Sequence, residues 1–184
     1  VPPATGCAIL VATADGGATW DMVNECLPDA GEIRLDADGT GWLGGTSFSA
    51  TEHVDSLHRT DDGGQSWTEI RVALPDGHDP VAAIYGLPSF FGDRGLRAVT
   101  LLGGPIERVA IYSTADDGTT WDLVTVVDTA GRPSPERRVA AGVAFASHST
   151  WWIAVVTQTG AETTVTVDGG TTSQTYVDGP SGTV

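Results

Sequence analysis

Carboxylates and arginines are the side chains of this chain that could do chemistry. Of its 184 residues, 24 are Asp or Glu, and all nine basic residues are Arg. A guanidinium fork can grip a carboxylate through two parallel N–H···O bonds, and Arg34 and Arg97 stand in strand-like surroundings where that grip could be buried. Two facing carboxylates, one held protonated, would serve glycoside hydrolysis. Asp36, Asp38, Glu52, Asp55, Asp79 and Asp93 lie in or near loops, and their spacing privileges none of them. His53, His58, His78 and His148 are scattered and show no zinc-ligand spacing with the two cysteines, so no metal site is expected. Calcium at an Asp-rich turn such as Asp61-Asp62 or Asp116-Asp117 is the one ion the residues admit, and a hydrogen-bonded turn needs no ion. Neither a Gly-x-Ser-x-Gly nucleophile elbow nor a phosphate loop occurs.

Aromatic residues supply the second set of candidates. Trp42 in Gly41-Trp42-Leu-Gly-Gly45 and Trp152 in Thr150-Trp151-Trp152-Ile occupy the same place in their segments, and adjacent Trp151 and Trp152 must face opposite sides of a sheet. One is expected in the core, the other in a seam or against a sugar ring. Tyr85 precedes a Gly/Pro-rich connector, residues 86–95, that carries Phe90 and Phe91 and is the expected recognition loop. Arg34, Trp42, Tyr85, Phe90, Phe91, Arg97 and Trp152 are therefore the candidate ligand contacts.

What positions these residues is a repeat. Thr13-Ala-Asp15-Gly-Gly17-Ala-Thr19-Trp20 recurs as Thr60-Asp-Asp62-Gly-Gly64-Gln-Ser66-Trp67, as Thr114-Ala-Asp116-Asp-Gly118-Thr-Thr120-Trp121 and as Thr166-Val-Asp168-Gly-Gly170-Thr-Thr172, the last with Ser173 in place of Trp. A period of about fifty residues marks a repeat architecture. In each copy the Asp carboxylate and the hydroxyls can bond backbone N–H groups, glycine permits positive φ, and the Trp is an apolar wedge opening the return strand. The missing fourth Trp is expected to loosen the last repeat.

The four copies resemble the Asp box, or bacterial neuraminidase repeat, of β-propeller proteins. Sialidases, xyloglucanases and photosystem-assembly-factor-like proteins carry such boxes, and the Gly-Trp-Leu-Gly-Gly strand looks like the last two of these. The resemblance implies a structural role for Asp15, Gly17, Trp20, Asp62, Gly64, Trp67, Asp116, Gly118, Trp121, Asp168 and Gly170, on turns away from a central site. It fixes architecture and leaves activity open. The Phe/Tyr-Arg-Ile-Pro motif of sialidases, which carries one of their three carboxylate-binding arginines, does not occur here.

Short β-branched runs flank each copy, and helical periodicity is nowhere sustained. The expected fold is all-β and propeller-type, one domain over residues 1–184 with a half-blade at 1–27 and four-stranded blades at 31–75, 81–128 and 138–178. Closed propellers have about four to eight blades, so either further blades belong to a larger propeller or another copy of the chain completes it.

The net charge of −15 disfavours nucleic acid and anionic membranes, and no apolar stretch is long enough to insert in a bilayer. Cys7 and Cys26 lie symmetrically about the first copy, which makes them cross-strand neighbours able to form a disulfide and points to an extracellular or periplasmic protein. The expected function is recognition of a carbohydrate or protein ligand without a cofactor; the alternative is part of a glycoside hydrolase, exo-sialidase-like or xyloglucanase-like.

Overall fold

The computed structural model describes residues 7–28, 31–48, 53–76, 83–101, 108–128, 142–157 and 160–178. Glu52, His78, Asp79 and the residues 81–82 and 138–141 that open two of the expected blades lie outside them. Every regular element among the described residues is a β-strand. The chain divides into two compact units, Val1–Val72 and Ala73–Val184.

In the first unit, β1 (Leu10–Ala12) and β2 (Asp21–Asn24) form a hairpin around the first repeat turn. β3 (Gly31–Leu35), β4 (Gly41–Phe48), β5 (His53–Thr60) and β6 (Thr68–Glu69) follow as a four-stranded antiparallel sheet in chain order. The apolar groups Leu27, Trp42, Leu43 and Leu57 are buried here, and removing such groups from water drives the packing. Asn24 Nδ2 reaches across to the second repeat turn, donating to the carbonyls of Gly64 at 3.3 Å and Gln65 at 2.8 Å.

A disulfide joins Cys7 and Cys26, with Cα atoms 4.9 Å apart. The mirror register that relates the cysteines holds at Val11↔Met22 and Ala12↔Asp21, then slips by one residue at Leu10↔Asn24 through a bulge. The bulge does not prevent the bridge, because Leu27 N donates to Ala8 O at 2.8 Å and keeps the two ends together.

In the second unit, β7 (Ala83–Tyr85), β9 (Arg94–Leu101), β10 (Arg108–Thr114) and β11 (Asp122–Asp128) form one antiparallel sheet, and the short β8 (Ser89–Phe91) also pairs with β9. β12 (Gly142–Phe145), β13 (Trp151–Thr157), β14 (Gly160–Thr166) and β15 (Gln174–Asp178) form the other. Leu96 and Ala98 of β9, Val109 and Ile111 of β10, and Trp151, Ile153 and Val155 of β13 make one core cluster between them. Period-two alternation sends Arg97, Val99 and Leu101 to the opposite face of β9, and that face is buried as well.

The architecture is all-β and propeller-type. The described residues form three antiparallel meanders and a leading two-stranded hairpin, with each repeat turn joining the last two strands of its sheet. Two details differ from expectation. The last strand of the blade expected at 31–75 is only the two residues Thr68–Glu69. The expected recognition loop is a hairpin: β8 pairs with β9 through Phe90↔Gly95, and both phenylalanines are half-buried rather than displayed.

Candidate functional site

The four repeat turns share one set of bonds. In the third, Thr114 Oγ1 donates to Asp116 Oδ1 at 2.7 Å and accepts from Gly118 N at 3.0 Å. Thr120 N donates to Asp116 Oδ1 at 2.9 Å and Thr120 Oγ1 to Asp116 Oδ2 at 2.7 Å. Equivalent bonds hold Asp15, Asp62 and Asp168. Donors aimed at a carboxylate favour its charged form, so Asp15, Asp62, Asp116 and Asp168 are each lowered to about 2, chiefly by the bonds from Thr19, Ser66, Thr120 and Thr172 respectively. The turn backbone needs two consecutive residues at positive φ; Asp117, at φ 53°, stands where the other three turns have Gly.

The turn tryptophans behave differently. Trp67 and Trp121 donate Nε1–H to the carbonyls of Gly64 and Gly118 at 3.0 and 2.9 Å, whereas Trp20 is 60% exposed. In the fourth turn the ring of Trp151 lies against Gly170: a Cβ there would be 3.0 Å from Trp151 Cζ2. Thus a tryptophan from β13 stands over the turn that lacks its own.

Among the described residues, no group of three or more His, Cys, Asp or Glu is placed to hold a metal ion. The cluster that stands out is built around Arg97. Its side chain is fully buried, and Nε, Nη1 and Nη2 have no hydrogen-bond acceptor among the described residues. Its Cζ lies 5.1 Å from the centroid of Tyr85 and 5.5 Å from that of Trp121. The strands place these groups by register. Arg97 pairs with Tyr112 across β9 and β10, and Tyr85 pairs with Val99, two residues along on the same face. Trp121 arrives from the repeat turn that precedes β11. Phe90 packs on the bare backbone of Gly95, where a Cβ would be 2.7 Å from Phe90 Cε1, and meets Trp121 edge to face at 6.4 Å and 62°.

Burial lowers the Arg97 guanidinium to about 10, with Tyr85 and Tyr112 acting in the opposite sense. Burial likewise pushes Tyr112 up to about 12, and Tyr85 adds to the rise; the Tyr112 hydroxyl donates to Ala73 O at 2.9 Å. At neutral pH, Arg97 is therefore a buried cation among neutral rings. Cation–π contact returns about 1 kcal/mol per ring, and up to about 2 when desolvated. Taking a charge out of water costs several kcal/mol. The rings alone do not balance that cost, and what the arrangement can do chemically is accept an anion at the guanidinium edge.

The other candidates lie elsewhere. Arg34 is half-buried on β3 and Trp42 is buried on β4 opposite it, in the first unit. Arg59, bonded to Asp61 at 2.8 Å, lies 6.0 Å from the Trp42 ring. Phe91 packs on the core cluster. Trp152 is half-buried on the face of β13 opposite Trp151. Tyr112 and Trp121 were absent from the expected ligand contacts. The antiparallel register of β9 and β10 sets Tyr112 opposite Arg97, and that pairing is the signal that finds it.

No family model matches the chain. A curated relative is the photosystem II assembly lipoprotein Ycf48 of Synechococcus sp. (strain CC9902), 31% identical over 134 residues, or 71% of this chain and 34% of the relative. The chain thus spans about a third of that protein's length. A similar solved structure is the E242A mutant of the α-L-arabinofuranosidase Arb93A from Fusarium graminearum in complex with an iminosugar inhibitor, with TM-score 0.54, 14% identity, and 92% of this chain and 57% of that one covered. At that identity the likeness shows the fold alone.

Proposed function

We propose that the chain is a recognition module of an extracellular or periplasmic Asp-box propeller and that it binds a carbohydrate or protein ligand at the Arg97 cluster. The observation that carries this reading is a fully buried guanidinium with no acceptor among the described residues, walled by Tyr85 and Trp121. A buried polar group left unsatisfied calls for an explanation, and groups perturbed by burial cluster at functional sites. The four identically bonded turns support the Asp-box assignment. The Cys7–Cys26 disulfide and a relative named as a lipoprotein support an oxidising compartment outside the cytoplasm.

The test is a binding screen of oligosaccharides and peptides by calorimetry, with wild type and Arg97→Met, and turnover of glycosides followed in the same samples. Binding without turnover that disappears in Arg97→Met is the expected result. Hydrolysis by the wild type would establish the glycoside-hydrolase alternative, and ligand binding unchanged by Arg97→Met would remove the site from this cluster.

A further inference from the structure

We infer that the outer edge of β1 is a docking site for an extended segment of another polypeptide, which adds to the first hairpin as a third, antiparallel strand. The site is separate from the Arg97 cluster and does not rest on it. The repeat carries the argument. In each of the three larger sheets the strand that enters the repeat turn, β5, β10 or β14, is paired on both sides. β1 enters the first repeat turn in the same way but pairs only with β2 among the described residues. Such an edge presents backbone N–H and C=O groups to which an incoming strand can bond. A hairpin of two strands is marginal alone, yet this one is held in place by the Cys7–Cys26 disulfide and by the bonds from Asn24 to Gly64 and Gln65. An edge fixed in advance lowers the ordering cost of binding.

The side chains beside this edge are apolar and uncovered. Ile9, Val11, Trp20 and Met22 are all exposed, and Val11 pairs with Met22 across the hairpin. The three larger sheets show what strand such an edge takes. Opposite the turn threonine stand Gly41 on Thr60, Gly95 on Thr114 and Trp151 on Thr166. Two residues along stand Leu43, Arg97 and Ile153, each fully buried. The glycines occur where the turn has its own Trp, and the tryptophan occurs where the turn lacks one. Both kinds of tryptophan reach the same spot: Cζ2 of Trp67 lies 3.4 Å from where a Cβ on Gly64 would be, and Cζ2 of Trp151 lies 3.0 Å from one on Gly170. Trp20 holds that place over Gly17, at 3.9 Å on the same measure. The incoming strand therefore carries glycine opposite Thr13 and, two positions on, an aliphatic residue or arginine against Val11. The net charge of −15 and the exposed Asp21 and Glu25 favour an uncharged or basic segment.

The probe is a synthetic peptide of residues 39–48, whose Gly41 and Leu43 fit this pattern. It is titrated into the whole chain by calorimetry and followed by ¹⁵N amide spectra and hydrogen exchange. Saturable one-to-one binding is expected, with exchange newly slowed only at the amides of residues 9–13. Trp20→Ala changes an exposed side chain, so the protein should remain folded while binding weakens by about tenfold or more. A peptide carrying Leu43→Asp should not bind. A peptide carrying Gly41→Trp should bind wild type more weakly than the parent peptide and regain affinity on Trp20→Ala, a reciprocal rescue that a merely structural role of Trp20 would not give. Absence of binding, binding indifferent to Trp20→Ala, or protection of every β1 amide in the peptide-free protein would overturn the inference. Concentration-dependent self-association that protects β1 would overturn it as well, because a second copy would then be the occupant. None of these results bears on ligand binding at Arg97.

Discussion

Replacing Arg97 by Met should stabilise the fold, the reverse of the usual outcome for a fully buried residue. Burial lowers the guanidinium well below its ordinary value, to about 10, and at about 1.36 kcal/mol per pH unit this corresponds to about 3 kcal/mol disfavouring the charged form in the folded chain. The two ring contacts offset about 2 kcal/mol of it, leaving a net cost of about 1 kcal/mol. Met fills much of the same volume with apolar atoms, and full burial of such a side chain contributes about 2 kcal/mol. After allowance for imperfect packing, the expected gain is about 1–3 kcal/mol. For a chain of this size, each kcal/mol moves Tm by about 2–4 °C. Urea denaturation followed by tryptophan fluorescence measures it, with the m-value showing whether the transition stays comparable. Arg97→Lys is the control: it keeps the charge and loses the stacked plane, so it should be less stable than wild type. A loss of more than about 1 kcal/mol in Arg97→Met would refute the reasoning, because it would mean that the guanidinium is a structural partner rather than an unbalanced cation.

Three further outcomes follow from the same geometry. Gly95→Ala would press a Cβ against Phe90 Cε1 at 2.7 Å and Thr114 Cγ2 at 2.8 Å. Thr114 is fixed by its turn bonds, so the ring must give way; a cost of about 2 kcal/mol is expected in urea melts, falling by about half or more when Phe90 is also Ala, and strict additivity would contradict the contact. Folded-state values of about 2 for Asp15, Asp62, Asp116 and Asp168 lie below the ordinary 3.8. Their contribution to stability is then fully present above about pH 4 and lost as pH falls through about 2; the slope of stability against pH in that window should drop with each Asp→Asn change, and an unchanged slope would argue against the bonds. Asp117→Gly should stabilise by about 0.5 kcal/mol, the αL penalty relieved less the added freedom of the unfolded chain, and a lower Tm would contradict the strain at φ 53°.

Much of the fold was legible because its signal is local. An Asp carboxylate bonded within four residues, with glycine at positive φ beside it, is complete within each eight-residue copy, and the copies set the strand order around them. The cysteine pairing was legible from mirror symmetry about one turn, although the bulge at Leu10 was not. The site was less legible because it depends on contacts between strands far apart in sequence. Arg97, Tyr85 and Phe90 were all named among the candidates, but nothing local ties Trp121, a turn residue, to them. Phe90 read as a loop aromatic because Gly and Pro surround it; the glycine at 95 in fact receives the ring. The gap at Ser173 was visible in the sequence, but that Trp151 stands over Gly170 required the register of β13 and β14.

Whether Arg97 is a buried cation held between rings can be read from the arginine side-chain NMR signals of ¹⁵N-labelled protein near neutral pH, with Arg97→Met for assignment. The Nε–H of Arg97 should be displaced upfield by the ring currents of Tyr85 and Trp121 and slow to exchange with water. Rapid exchange of every arginine Nε–H, or an Arg97 signal at the position of a solvated guanidinium, would contradict that placement.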